Sequence, residues 1–205
     1  MTKKYFVTGI GTEIGKTLTS AILTEQLKAD YWKPIQSGDL HQSDTLKVKN
    51  LISNGATKFH PEAYRLTQPF SPHYSAALDG VEINLDLIQL PKTENNLIVE
   101  GAGGLMVPLN QRDLIIDLIK KIGLEVILVS KNYLGSINHT LLSVEALKSR
   151  NIPIKGIIFN GEANEASESI IKKMTGLNVI AHIPALEKIN KESVKHIAES
   201  VTFNW

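Results

Sequence analysis

The sequence contains no cysteine, which excludes disulfides, a cysteine nucleophile and thiolate metal sites and fits a reducing compartment. It also lacks an excess of either charge. Lys and Arg number 22 against 21 Asp and Glu, a formal net charge of +1, so composition gives no reason to expect nucleic acid or an anionic membrane as partner. No apolar run approaches the roughly 20 residues that span a bilayer. The opening MTKKYFVTG has an apolar stretch too short for a signal peptide and runs straight into a glycine loop. A cytoplasmic protein is the expectation. His41, His60, His73, His139, His182 and His196 are scattered without metal-ligand spacing, and no serine nucleophile elbow occurs. His139, near a helix start, reads as a packing or hydrogen-bonded structural residue. There is no internal repeat, low-complexity tract or linker. With 42% hydrophobic residues in 205, one domain over 1–205 is the simplest organisation.

What is present is an alternation of short β-rich runs and longer amphipathic stretches. Strands are predicted at Tyr5–Thr8, Tyr31–Ile35, Asn96–Glu100, Glu125–Ser130, Lys155–Asn160 and Asn178–Ala181. Helices are predicted at Lys16–Ala29, Ser43–Asn54, Asp113–Ile122, Ser136–Arg150, Ala163–Thr175 and Lys191–Ser200, with Ser43 a candidate N-cap. Residues 55–80, with Pro61, Pro69 and Pro72, read as an irregular and therefore functional or partly disordered loop. The expected fold is α/β: a mostly parallel sheet with helices on both faces, of the P-loop NTPase type. Ligands gather at the carboxyl ends of such strands. Segments 9–17, 33–38, 100–104, 130–138 and 160–161 all fall there.

Residues 9–17 read Gly-Ile-Gly-Thr-Glu-Ile-Gly-Lys-Thr between a strand and a helix. That is the setting of a phosphate loop, where backbone N–H groups and a helix N-terminus meet the phosphates. Lys16 would neutralise the β- and γ-phosphates and the Thr17 hydroxyl would meet Mg²⁺. Five residues, not four, separate Gly9 from Gly15-Lys16-Thr17. A dinucleotide-binding turn is the rival, but its third glycine is replaced by Ile14, and no acidic residue ends the second strand. A plain strand-to-helix turn explains the glycines and leaves Gly-Lys-Thr unexplained. Glu100 ends an apolar strand and is followed by Gly101-Ala102-Gly103-Gly104, a position suited to a magnesium acid. Asp44 alone reads as a helix-dipole residue, as does Asp113.

Taken together these residues resemble dethiobiotin synthase. The likeness rests on YFVTGIGTEIGKT, KPIQSG, Ser43-Asp44, Ser71–His73, VEGAGGLMVPL, LGSINH at 134–139 and Asn160, in that order, and covers 1 to about 161. Beyond it only Ile183–Leu186 matches. The family makes a cyclic urea from 7,8-diaminononanoate, CO₂ and ATP. The resemblance implies that Glu13, Ile14, Gly15, Lys16, Thr17 and Leu18 surround the ATP phosphates, and that Thr17, Asp44 and Glu100 hold Mg²⁺. It implies that Lys33 sits beside the carbamate and γ-phosphate, so Lys16 and Lys33 are the catalytic candidates, and that Ser37 contacts the diamine. Glu100, Gly101, Ala102 and Gly103 would line the nucleotide and carbamate site. Asn160, Gly161, Pro184, Ala185 and Leu186 would approach the adenine. Gly135, Ser136, Ile137 and Asn138 would bind the substrate carboxylate from a second subunit, which implies a homodimer. The family usually has Thr-Asp where Ile10-Gly11 stand, and a longer stretch between the first helix and Lys33.

A nucleotide-switch ATPase of the partition type is the alternative. Such proteins usually carry a further lysine early in the loop, where this chain has Thr12, Glu13 and Ile14. A cobyrinate-type amidotransferase half is a third reading, disfavoured because no glutamine-hydrolysing domain or cysteine is present.

Overall fold

The computed structural model describes residues 2–205. The chain runs β1 (Lys4–Gly9), α1 (Lys16–Leu27), β2 (Asp30–Trp32), β3 (Ile35–Ser37), α2 (Asp44–Leu51), β4 (Phe59–His60), β5 (Tyr64–Leu66) and α3 (Pro72–Leu78). It continues through β6 (Leu97–Gly104), α4 (Ile115–Ile122), β7 (Glu125–Ser130), α5 (Ser136–Ser149), β8 (Ile154–Asn160), α6 (Glu165–Thr175), β9 (Val179–Ile183) and α7 (Lys191–Ser200). Seven strands form one sheet in the order β4-β2-β6-β1-β7-β8-β9, and every pairing in it is parallel. β1 is therefore central, between β6 and β7, and its carboxyl end opens into the glycine loop.

Strand alternation sorts the core into two layers. Tyr5 and Val7 of β1, Ile98 of β6, and Ile127 and Val129 of β7 face α1, α2 and α7. Phe6, Leu97, Val99 and Val126 point to the opposite face and pack under α3 and α4. Leu128, Ile157 and Phe159 continue that face beneath α5 and α6. Burial on both sides is why these strands read as continuous apolar runs rather than as alternating ones.

Three expectations change. The run Tyr31–Ile35 is two strands, not one: β2 stays in the large sheet, and β3 leaves it to pair with β5 in a separate two-stranded parallel sheet. Lys33 and Pro34 stand at the switch, and Pro34 has no N–H with which to continue a ladder. Residues 55–80 are not an irregular loop, because they contain β4, β5 and α3. Pro72 is the first residue of α3, a position where its missing N–H is not needed. Asp113 does not start a helix. Its carboxylate closes a turn with Asn110 Nδ2 at 2.7 Å, and α4 begins after Leu114, whose N–H is capped by Asp117 Oδ2 at 2.9 Å. No helix is long and apolar enough to cross a membrane among the described residues.

Candidate active site

The loop after β1 turns through two left-handed residues, Glu13 at φ 58° and Gly15 at φ 93°. Turns of this kind direct successive N–H groups into an anion-binding concavity. Gly15 is demanded by both its backbone and its surroundings: it is left-handed, and a Cβ there would stand 2.0 Å from Asn160 Nδ2. Asn160, at the end of β8, donates to the Ile14 carbonyl at 3.0 Å and so braces the loop from two strands away. Ile14 itself is buried beneath the loop. Ile10 donates its N–H to Val129 at 3.1 Å and packs into the core. Lys16 opens α1 and folds back so that its ammonium donates to the Gly11 carbonyl at 2.8 Å. Burial lowers its pKa to about 8, against the opposing pull of Glu100.

Beside the loop, three acidic and basic groups meet. Glu100, carried in by β6, is 1% exposed. Its Oε1 accepts from the Thr17 hydroxyl at 2.8 Å and from Lys33 Nζ at 3.2 Å, and its Oε2 accepts from the Tyr31 hydroxyl at 2.9 Å. The Lys33 ammonium also donates to Asp44 Oδ2 at 2.5 Å and to the Gly101 carbonyl at 3.2 Å. Burial alone would depress the Lys33 pKa, but Glu100 and Asp44 outweigh it and hold the ammonium above its ordinary value. Burial would likewise raise Asp44, and Lys33 outweighs that to hold its carboxyl low. Burial and then Glu100 push the Tyr31 phenol well up, so it remains a donor. Asp44 is the first residue of α2, whose N-cap is Ser43 with Oγ accepting from Leu46 N–H.

These groups line a cleft of about 730 Å³. Of the residues singled out from sequence, Glu13, Gly15, Lys16, Thr17, Leu18, Lys33, Ser37, Asp44, Glu100, Ala102 and Gly103 lie on its wall. Ile14 and Gly101 lie just behind it. Asn160 touches the loop, and Gly161 donates its N–H to the Ile183 carbonyl at 2.9 Å, which ties the β8 end to the start of Pro184–Leu186. Pro184 and Ala185 are exposed. Gly135–Asn138, at the start of α5, do not line the cleft. Sequence reasoning missed Gln36, Lys47 and Phe70, which do. Gln36 lies inside the KPIQSG segment, which was the available signal. Lys47 follows Asp44 by three residues, and its Nζ reaches Asp44 Oδ1 at 3.4 Å. Phe70 sits among prolines and carried no periodic pattern.

A buried carboxylate and a half-buried one converging on one ammonium, next to a hydroxyl, form a set of hard oxygen donors of the kind Mg²⁺ prefers. Among the described residues no third carboxylate or histidine joins them. An ion held here would complete its shell with phosphate oxygens and water, as Mg²⁺ does in nucleotide sites.

Comparison with known proteins agrees with this geometry. Residues 3–193 match a family described as an AAA domain. The chain resembles solved P-loop ATPases in fold: a ParA family ATPase from Chlorobium tepidum, with 12% identity, TM-score 0.61 and coverage of 98% of this chain and 100% of that one. The septum site-determining protein MinD from Pyrococcus horikoshii, complexed with Mg-ADP, gives 16% identity, TM-score 0.61 and coverage of 97% and 95%. At such identities the fold alone is shared. In sequence, the chain is 55% identical to the ATP-dependent dethiobiotin synthetase of Cytophaga hutchinsonii over 99% of its own length and 98% of the relative's. It is 54% identical to that of Christiangramia forsetii, over 97% and 96%, and 44% identical to that of Brucella ovis, over 96% and 92%. With relatives this similar over nearly their whole length, the chain belongs to the ATP-dependent dethiobiotin synthetase family.

Proposed function

We propose that the protein closes the ureido ring of dethiobiotin from 7,8-diaminononanoate, CO₂ and ATP, releasing ADP and phosphate, as a step of biotin biosynthesis. The observation that carries the reading is the Lys33 ammonium, paired with both Glu100 and Asp44 at the mouth of the loop that holds Lys16 and Thr17. The reaction brings together a triphosphate, a carbamate and a developing phosphate, all anionic. What it needs from the protein is placement and fixed positive charge.

The chemistry divides into three steps. One amine of the diamine adds to CO₂, giving a carbamate and releasing a proton. A carbamate oxygen attacks the γ-phosphorus in line, the bond to the β-phosphate oxygen breaks, and ADP leaves. The second amine attacks the carbonyl of the resulting carbamic–phosphoric anhydride and gives up a proton, the carbonyl C–O bond to the phosphoryl group breaks, and phosphate departs as the ring closes. In this scheme Lys16 opposes the β- and γ-phosphates, with the N–H groups of residues 13–18 around them. Lys33 opposes charge on the carbamate and on the transferred phosphoryl group. Its two carboxylate partners keep it protonated, so it acts as a fixed cation rather than as a base. Thr17, Asp44 and Glu100 are the residues that would hold Mg²⁺, which supplies charge neutralisation on the phosphates when bound. Ser37 would orient the diamine. Asn160, Gly161 and Pro184–Leu186 would approach the adenine.

Gly135–Asn138 would reach the substrate carboxylate from a second copy of the chain. Support for that assembly comes from the start of α5, where Leu134 in the preceding turn and Leu142 on the helix itself are both left bare. The nucleotide-switch alternative shares the fold only. The experiment that separates the two is phosphate release by the purified protein in Mg-ATP. Release should require both the diamine and bicarbonate and should yield one dethiobiotin per phosphate. Steady hydrolysis without the diamine would overturn the synthetase reading.

A further inference from the structure

Two polar side chains without a task in that mechanism hold the elements that carry the carboxylates: Tyr31 behind Glu100, and Gln36 against the backbone of Asp44. Tyr31 is wholly buried in β2, and its ring packs against Phe59. Its hydroxyl donates to Glu100 Oε2, whereas Thr17 and Lys33 both use Oε1. The division is one-sided. The oxygen turned toward the core is satisfied by a rigid phenol, and the oxygen turned toward the cleft is left to the groups that meet ligand. Gln36, 5% exposed, holds Asp44 by its backbone rather than by its carboxylate. Its Oε1 accepts from the Asp44 backbone N–H at 3.1 Å, and its Nε2 donates to the Gly38 carbonyl at 2.9 Å. β3 is thereby fastened to the first residue of α2, and the Asp44 carboxylate faces Lys33 through Oδ2 and Lys47 through Oδ1.

We infer that Tyr31 and Gln36 are positioning residues that fix the Glu100 and Asp44 carboxylates for capture of a divalent cation together with the nucleotide. The inference rests on the reading of those two carboxylates as the metal-facing groups. A buried carboxylate oxygen with no donor is costly to keep charged. Without the Tyr31 hydroxyl, Glu100 gains by rotating or by sharing Oε1 differently, and each change spoils its aim. Partners that orient ligands in this way commonly govern metal affinity by 10–100-fold. A merely structural role would lower stability and leave cation affinity alone, so affinity is the quantity to measure.

The probe is Mn²⁺, titrated into the full-length protein saturated with ADP and read by electron paramagnetic resonance. Tyr31→Phe keeps the ring and removes only the hydroxyl. Gln36→Met keeps the length of the side chain and removes both polar atoms. Each should weaken Mn²⁺ binding about ten-fold while ADP affinity in EDTA stays at the wild-type value. Wild-type Mn²⁺ affinity in either folded variant removes that residue from the role, whatever its melting temperature. Two independent substitutions keep the test alive if one fails to fold. Glu100→Gln and Asp44→Asn are run beside them. If these also bind Mn²⁺ normally, the assignment of the metal-facing carboxylates has failed and the inference falls with it. If they lose Mn²⁺ while Tyr31→Phe and Gln36→Met keep it, the inference alone is overturned.

Discussion

Lys16 is folded onto the Gly11 carbonyl with little access to water, and burial brings its pKa down to about 8 from the ordinary 10.5. An incoming triphosphate favours the ammonium form, so nucleotide binding near pH 8 should take up protons. Calorimetric titrations in two buffers of different ionisation enthalpy would show the uptake growing from pH 7 to pH 9, and buffer-independent heats across that range would refute it. The same shift has a stability sign. Between the lowered pKa and 10.5 the unfolded chain holds a proton that the folded chain has released, so this group makes stability rise with pH there. Lys33 poses the opposite case, because it is the shared counter-ion of Glu100 and Asp44. Lys33→Met strands two carboxylates, one fully buried, and should destabilise the ligand-free protein by about 3–5 kcal/mol in denaturant titration. Lys33→Gln retains one donor and should lose less stability, while ring closure falls steeply. Near-normal turnover in Lys33→Gln, or in Lys16→Gln, would remove that lysine from the mechanism.

The entry to α1 tests the loop as an element. Gly15 is its N-cap, left-handed and crowded by Asn160, whereas a Cβ on Gly11 meets nothing within 4 Å. Gly15→Ala should cost about 1–2 kcal/mol through backbone strain and should weaken ADP binding by displacing Asn160. Gly11→Ala should leave thermal stability near wild type, and equal melting losses in the two variants would contradict this account of the loop. Elements differ likewise in how far the sequence disclosed them. The strand-loop-helix at 4–27 was legible because a buried strand, glycines and Lys-Thr occur in a fixed local order. Glu100 was legible because an apolar run ended on it. Asp44 was legible only through the family resemblance, since an acid at a helix start serves the dipole wherever it lies, and only topology brings it within reach of Lys33. α3 hid behind Pro72, which reads as a breaker until the helix is known to begin there. Tyr31 hid because in a buried strand it passes for one more apolar residue, and its single polar atom meets Glu100 only after β2 and β6 pair.

At the scale of the whole molecule, the cleft and the α5 edge raise the same question. The glycine-loop side of the cleft is lined by one chain, but Gly135–Asn138 lie off its wall, close in sequence to the bare side chains of Leu134 and Leu142. If a second copy covers this edge, Leu142→Lys should shift sedimentation from dimer to monomer and raise the KM for the diamine, with ADP affinity preserved. Assignment of Asn138 to the partner's cleft admits a sharper test. Lys16→Gln and Asn138→Ala are each expected to be nearly inactive. Subunits exchanged from an equal mixture form mixed dimers in which one cleft combines an intact Lys16 with an intact Asn138, while the other cleft has lost both. Random pairing then restores about a quarter of the wild-type activity, as two-fold symmetry requires. Were Asn138 to serve the cleft of its own chain, no pairing would reunite the two residues and the mixture would stay inactive. The recovered activity therefore decides whether this enzyme's site is built by one chain or by two.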